Sequence, residues 1–144
     1  MDTAPRPHRG AAHYALLVFG LLGPVGLWAM RRLTEPDPDG LGTHQQLGLE
    51  PCSFEAYLDV PCPGCGVTTS VAHFADGAPL ASLATQPLGT VLGLLALLAP
   101  LYVVIRHLMG ADLEQDRLRA PWRWILAAAA AVVLGSWCYK LAVG

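Results

Sequence analysis

The sequence predicts an all-α integral membrane protein with three transmembrane helices and short interfacial helices in the loop between the first and second. Three observations predict it. Hydrophobic residues make up 53% of the chain and charged residues only 14%, whereas soluble domains carry about a quarter charged residues. The apolar residues gather in three blocks, separated by stretches that hold nearly all the charge. The longest of these polar stretches, residues 31–86, shows no alternation of apolar and polar residues, so strands are not indicated. The 144 residues are expected to form a single membrane domain.

The first span is predicted over residues 14–30. Its 17 residues carry no charge and at about 1.5 Å per residue cover about 25 Å, near the lower limit for crossing a bilayer. Arg6 and Arg9 precede it as the basic region of a signal peptide would. Trp28, Ala29 and Met30, however, lead into Arg31 and Arg32 without a small-x-small cleavage site, so an uncleaved anchor is expected. The second span is predicted over residues 87–106 and the third over 122–141, with Lys140 snorkelling to the interface. Pro24 and Pro100 are expected to kink their helices. Trp28, Trp122, Trp124 and Trp137 lie near span ends, as interfacial belt residues do. Cys138 is expected to be a small buried hydrophobe.

Three crossings put Arg6, Arg9, Arg106, Arg117, Arg119 and Arg123 on one side and Arg31, Arg32 and Lys140 on the other. The positive-inside rule then places the N-terminus and the loop 107–121 in the cytoplasm, and the loop 31–86 outside. That outer loop has no Lys or Arg after Arg32 but is rich in acids: Glu35, Asp37, Asp39, Glu50, Glu55, Asp59 and Asp76. No basic patch with interleaved aromatics is present, so nucleic acid is not an expected partner. The lipid bilayer is. Arg106 is expected to snorkel to the headgroups. Gly89 and Gly93 in the second span, and Ala127, Ala131 and Gly135 in the third, form small faces that let helices approach. They serve packing within the chain, or contact with a second copy or another membrane protein.

The chemistry of the chain is concentrated in the outer loop. Pro36 to Gly40 make a turn-rich exit from the first helix. Cys52 is followed ten residues later by Cys62-Pro63-Gly64-Cys65-Gly66. Two Cys separated by two residues aim their sulfurs into one small volume, as in one knuckle of a zinc ribbon. Zinc requires four ligands, and the knuckle supplies two. Cys52 is the natural third, with His73 as the fourth and His44 as the other candidate. The competing readings are a structural or redox disulfide, which an oxidising exterior favours, and free thiols. A lone CxxC does not decide among them. After the motif, Thr68, Thr69 and Ser70 offer N-cap hydroxyls for a short helix ended by Asp76-Gly77. Leu80, Leu83 and Leu88 recur near helical spacing towards Pro87, which suits the first turn of the second span.

These residues resemble a family of small bacterial membrane proteins, the domain-of-unknown-function family twenty-seven fifty-two. Its pattern is a Cys, then about ten residues later a Cys-Pro-Gly-Cys-Gly-x-Thr-Arg run, a Gly-Asp turn, and an Asn-Pro opening a hydrophobic helix. Cys52, Cys62, Pro63, Gly64, Cys65, Gly66 and Thr68 match directly; Asp76-Gly77 and Gln86-Pro87 stand in the places of the last two features. The family's Arg is Thr69 here. The resemblance implies a membrane location, and with the three spans the chain is expected to be a multi-pass protein of a bacterial cytoplasmic membrane.

Two functions fit. In the first, the protein is a non-enzymatic accessory or scaffold subunit whose Cys loop is clipped by a zinc-like metal or a disulfide. The chain holds no phosphate loop, His-Glu-x-x-His helix or Ser/His/Asp set. In the second, it is a membrane thiol–disulfide oxidoreductase in which Cys62 and Cys65 carry electrons and Cys52 resolves the mixed disulfide.

Overall fold

The computed structural model describes residues 9–58 and 60–143; Arg6, Asp59 and Gly144 lie outside the described residues. Seven α-helices and one 3-10 turn, with no strand, make up the described chain. They are α1 (Ala11–Leu33), the 3-10 turn (Thr43–Leu47), α2 (Ser53–Leu58), α3 (Val67–Ala75), α4 (Pro79–Thr85), α5 (Pro87–Leu108), α6 (Leu113–Arg119) and α7 (Trp122–Val143). α1, α5 and α7 are long and apolar enough to cross a membrane. α1, at 23 residues, extends past both ends of the apolar run. A backbone already committed to helix keeps its hydrogen bonds into the interface, where polar side chains such as Arg31 cost little. α1 and α5 each continue through their proline, Pro24 and Pro100.

Most large apolar side chains of the long helices, among them Phe19, Val25, Leu97, Leu101 and Leu126, are exposed. The fully buried side chains of largest volume are polar instead: His13, Gln86, Thr43, Thr69, Ser70 and Ser82. This inversion suits a chain whose solvent is lipid, because lipid tails welcome Leu and Phe while hydroxyls and amides gain by meeting between helices.

Close approach between α1 and α5 depends on glycine. A Cβ on Gly20 would stand 2.7 Å from a Val103 methyl, and one on Gly23 would run into the Ala96 carbonyl. α3 lies against α5 in the same way, with the pair Gly89 and Gly93 receiving Ser70 and Phe74. The small face of the second span therefore serves packing within the chain. On α7, by contrast, Ala127, Ala131 and Gly135 are exposed, and nothing lies within 4 Å of a Cβ at Gly135. Cys138 is also exposed, contrary to expectation, because α7 touches the rest of the chain along one narrow side.

Buried and half-buried polar bonds fix both ends of the bundle. At one end the Leu113 N–H donates to His13 Nδ1 at 3.1 Å, leaving Nε2 to donate to His107 Nδ1 at 3.0 Å. Arg9 donates to the His107 carbonyl at 2.5 Å. Arg106, expected at the headgroups, is held by Asp116 through bonds of 2.7 and 2.5 Å. At the other end the Ser70 hydroxyl reaches the carbonyls of Ser82 and Gln86 at 2.8 and 2.7 Å, and Ser82 Oγ meets Thr90 Oγ1 at 2.8 Å. These bonds join α3, α4 and α5 into one block directly beneath the cysteine loop.

Candidate metal centre

The knuckle forms because Pro63 and Gly64 turn the chain tightly enough for the Cys65 N–H to reach the Cys62 carbonyl at 3.0 Å. Gly66 then takes φ +85°, a left-handed conformation that costs a non-glycine residue about 1–2 kcal/mol. A Cβ there would also stand 2.9 Å from the Gly40 carbonyl. This glycine is the N-cap of α3, which has no side-chain cap. Thr68, Thr69 and Ser70 are inside the first turns, so the hydroxyl cap expected from the sequence is replaced by a backbone device. Gly77, at φ +82°, ends the helix where expected.

The sulfurs of Cys52, Cys62 and Cys65 all lie within 4.8 Å of one another. Cys62 Sγ and Cys65 Sγ are 3.0 Å apart, hydrogen-bonding distance and well beyond the roughly 2.0 Å of a disulfide bond. The Cys62 N–H donates to Cys65 Sγ at 3.1 Å, the kind of bond that offsets charge on a ligating sulfur. Cys65 is 6% exposed, while Cys52 and Cys62 are half-buried. Burial pushes the Cys65 thiol well above its ordinary value, and its hydrogen bond with the Cys62 sulfur adds to the rise; the Cys62 N–H acts the other way.

Three thiols of this kind suit a thiophilic divalent cation. Tetrahedral zinc with bonds of about 2.3 Å places its sulfurs about 3.8 Å apart, a spacing that falls between the 3.0 Å contact and the 4.8 Å limit of the group. The cluster stands beside the N-terminus of α3, whose dipole favours anionic sulfur.

The two histidines are placed differently. His73 is in the last turn of α3, six residues past Val67 and so about 9 Å along the axis from the helix start. His44 is in the 3-10 turn and lines, with Leu41, Gln45, Pro51, Cys52 and Ala56, a hollow of about 300 Å³. The three sulfurs form the close group, and neither imidazole is part of it.

Several supporting residues escaped the sequence reading. Gln86, fully buried, extends Nε2 to the carbonyls of Pro63 and Cys65, each at 3.4 Å. Trp137 donates from Nε1 to the Pro61 carbonyl at 2.9 Å, and Tyr139 from its hydroxyl to the Ala84 carbonyl at 2.7 Å. The Lys140 side chain runs beside Gly40 and Gly66. The end of α7 thus braces the loop. A Trp near a span end signals an interfacial ring, and nothing local in sequence distinguishes it from one bonded to a loop 76 residues away.

Three membrane-spanning helices capped by a group of three cysteines, of which Cys65 is buried and Cys52 and Cys62 are half-buried, define a multi-pass membrane protein with a candidate metal centre on one end. Residues 52–100, from the first cysteine through the middle of α5, match the model of the family described as "Protein of unknown function (DUF2752)", the family that the motif resembles. No curated protein and no solved structure matches the chain.

Proposed function

We propose that the protein is a non-enzymatic scaffold or accessory subunit of a bacterial cytoplasmic-membrane assembly. Its outer loop is held in shape by zinc bound to Cys52, Cys62 and Cys65. The observation that carries this reading is the convergence of three sulfurs within 4.8 Å on a knuckle with an N–H···S bond. A metal there ties α2, which begins one residue after Cys52, to the knuckle that opens α3. The loop then becomes one rigid surface presented above the bundle. The exposed small face of α7 at Ala127, Ala131 and Gly135 supports contact with another helix, from a second copy or a different subunit. The six-to-three division of Arg and Lys between the two sides supports an N-terminus in the cytoplasm and the cysteines outside.

The test is the zinc content and thermal stability of full-length protein purified in detergent without chelators. Cys52→Ser, Cys62→Ser and Cys65→Ser should each lose most of the metal and lower the unfolding temperature, because metal binding free energy is folding free energy. A thiol–disulfide oxidoreductase gives another pattern: the substituted proteins keep their stability, and removing one thiol traps a mixed disulfide with a partner. Fusing a reporter of export after Gly144 tests the orientation in the same strains. Cytoplasmic activity of that fusion would reverse it.

A further inference from the structure

We propose that His44 is the fourth ligand of the metal centre, completing a set of three thiolates and one imidazole. The proposal rests on the three-cysteine centre just described and adds the residue that closes it.

The segment that carries His44 is a closed and anchored turn. The Glu35 N–H donates to Gln46 Oε1 at 2.8 Å, and Gln46 Nε2 donates back to the Glu35 carbonyl at 2.8 Å. The Asp37 N–H donates to Thr43 Oγ1 at 2.9 Å, and the Thr43 side chain is fully buried. Gly48, at φ +78°, ends the 3-10 turn and sends the chain back towards Cys52. The turn also packs on α3, the helix opened by the knuckle. A half-buried imidazole held this way has lost much of the freedom that ligation would otherwise remove.

The hollow brings the imidazole and the first cysteine together: His44 and Cys52 line the same cavity of about 300 Å³. The imidazole has no hydrogen-bond partner among the described residues, so one ring nitrogen keeps its lone pair for a metal. His73 has a different setting. Its backbone is fixed in α3, whose axis leads away from Cys65, and its carbonyl is taken by the Ala78 N–H at 2.9 Å in the helix-ending turn. Bringing its ring to the sulfurs would require unwinding a helix whose Ser70 and Phe74 are seated on Gly89 and Gly93.

The experiment is titration of the metal-free, reduced full-length protein in detergent with Co²⁺, followed by its ligand-field absorption, and with ¹¹³Cd²⁺, followed by its NMR shift. Wild type should bind one ion with the tetrahedral signature of three sulfurs and one nitrogen. His44→Ala should weaken binding about tenfold or more and lose the nitrogen signature. His44→Cys should restore affinity with a four-sulfur signature, which guards against a variant that has merely failed to fold. His73→Ala should leave affinity and spectrum unchanged. Wild-type binding that His44→Ala does not alter would overturn the role of His44 and leave the three-cysteine centre standing. Absence of binding by the wild type would overturn both.

Discussion

Cys65 and Gly66 are adjacent and make opposite demands on the chain: the thiol is placed where water is scarce, and the glycine keeps the backbone open enough to put it there. Residue chemistry of this kind was partly legible in the sequence. The spacing of Cys52, Cys62 and Cys65 identified three residues that the fold brings together, because a CxxC turn is a local device and its geometry travels with it. The role of Gln86 was not legible, since its amide meets the Pro63 carbonyl, 23 residues away, and such a pairing leaves no periodic trace. Arg106 is a similar case. Its position after an apolar run resembles snorkelling, whereas its partner Asp116 belongs to α6. Hydrogen bonding to the Arg106 guanidinium holds the Asp116 carboxyl below its ordinary value of 3.8. A depressed carboxylate contributes stability that is fully present above the unfolded value and is lost as pH falls through the folded one. The destabilisation caused by Asp116→Asn should therefore be measurable by thermal unfolding in detergent near neutral pH. It should fade only as pH falls through the folded-state value, which lies below 3.8, because both proteins then lack the charge. A difference that persists unchanged in acid would assign the effect of Asp116 to packing.

At the scale of elements, the three spans were legible because uncharged runs of about 20 residues have few uses other than crossing lipid. Their exact ends were not, because α1 continues through Arg31 and Arg32 to Leu33. Hydropathy marks where lipid begins and not where helical hydrogen bonding stops. The partner of the second span's small face was equally hidden. Gly89 and Gly93 signal a close neighbour, and only the fold shows that the neighbour is α3 of the same chain. A Cβ at Gly93 would stand 2.5 Å from the Phe74 ring, so Gly93→Leu forces α3 off α5 and should cost at least about 1–3 kcal/mol. The loss should appear as a lower unfolding temperature of the monomer in detergent. Gly135→Leu, at a site with nothing within 4 Å, is the matched control and should leave the monomer unchanged. Equal behaviour of the two variants would contradict the seating of α3 on α5.

For the whole molecule, buried polar contacts tie the two ends, with lipid-facing apolar helices between them. His13 and His107 join α1 to α5 at one end, while the hydroxyls of Ser70, Ser82 and Thr90 join α3, α4 and α5 beneath the cysteines at the other. The second end also receives Trp137, Tyr139 and Lys140 from α7, which brace the cysteine loop and its surroundings. A metal bound at that junction would rigidify the whole face. The proposed zinc clip is open to native mass spectrometry of the full-length protein, purified without chelators or reductant, together with elemental analysis of the same sample. One zinc per chain is expected and, after denaturation, alkylation of Cys52, Cys62 and Cys65 as thiols. A chain without stoichiometric metal, two hydrogens lighter through a Cys62–Cys65 disulfide, would contradict it.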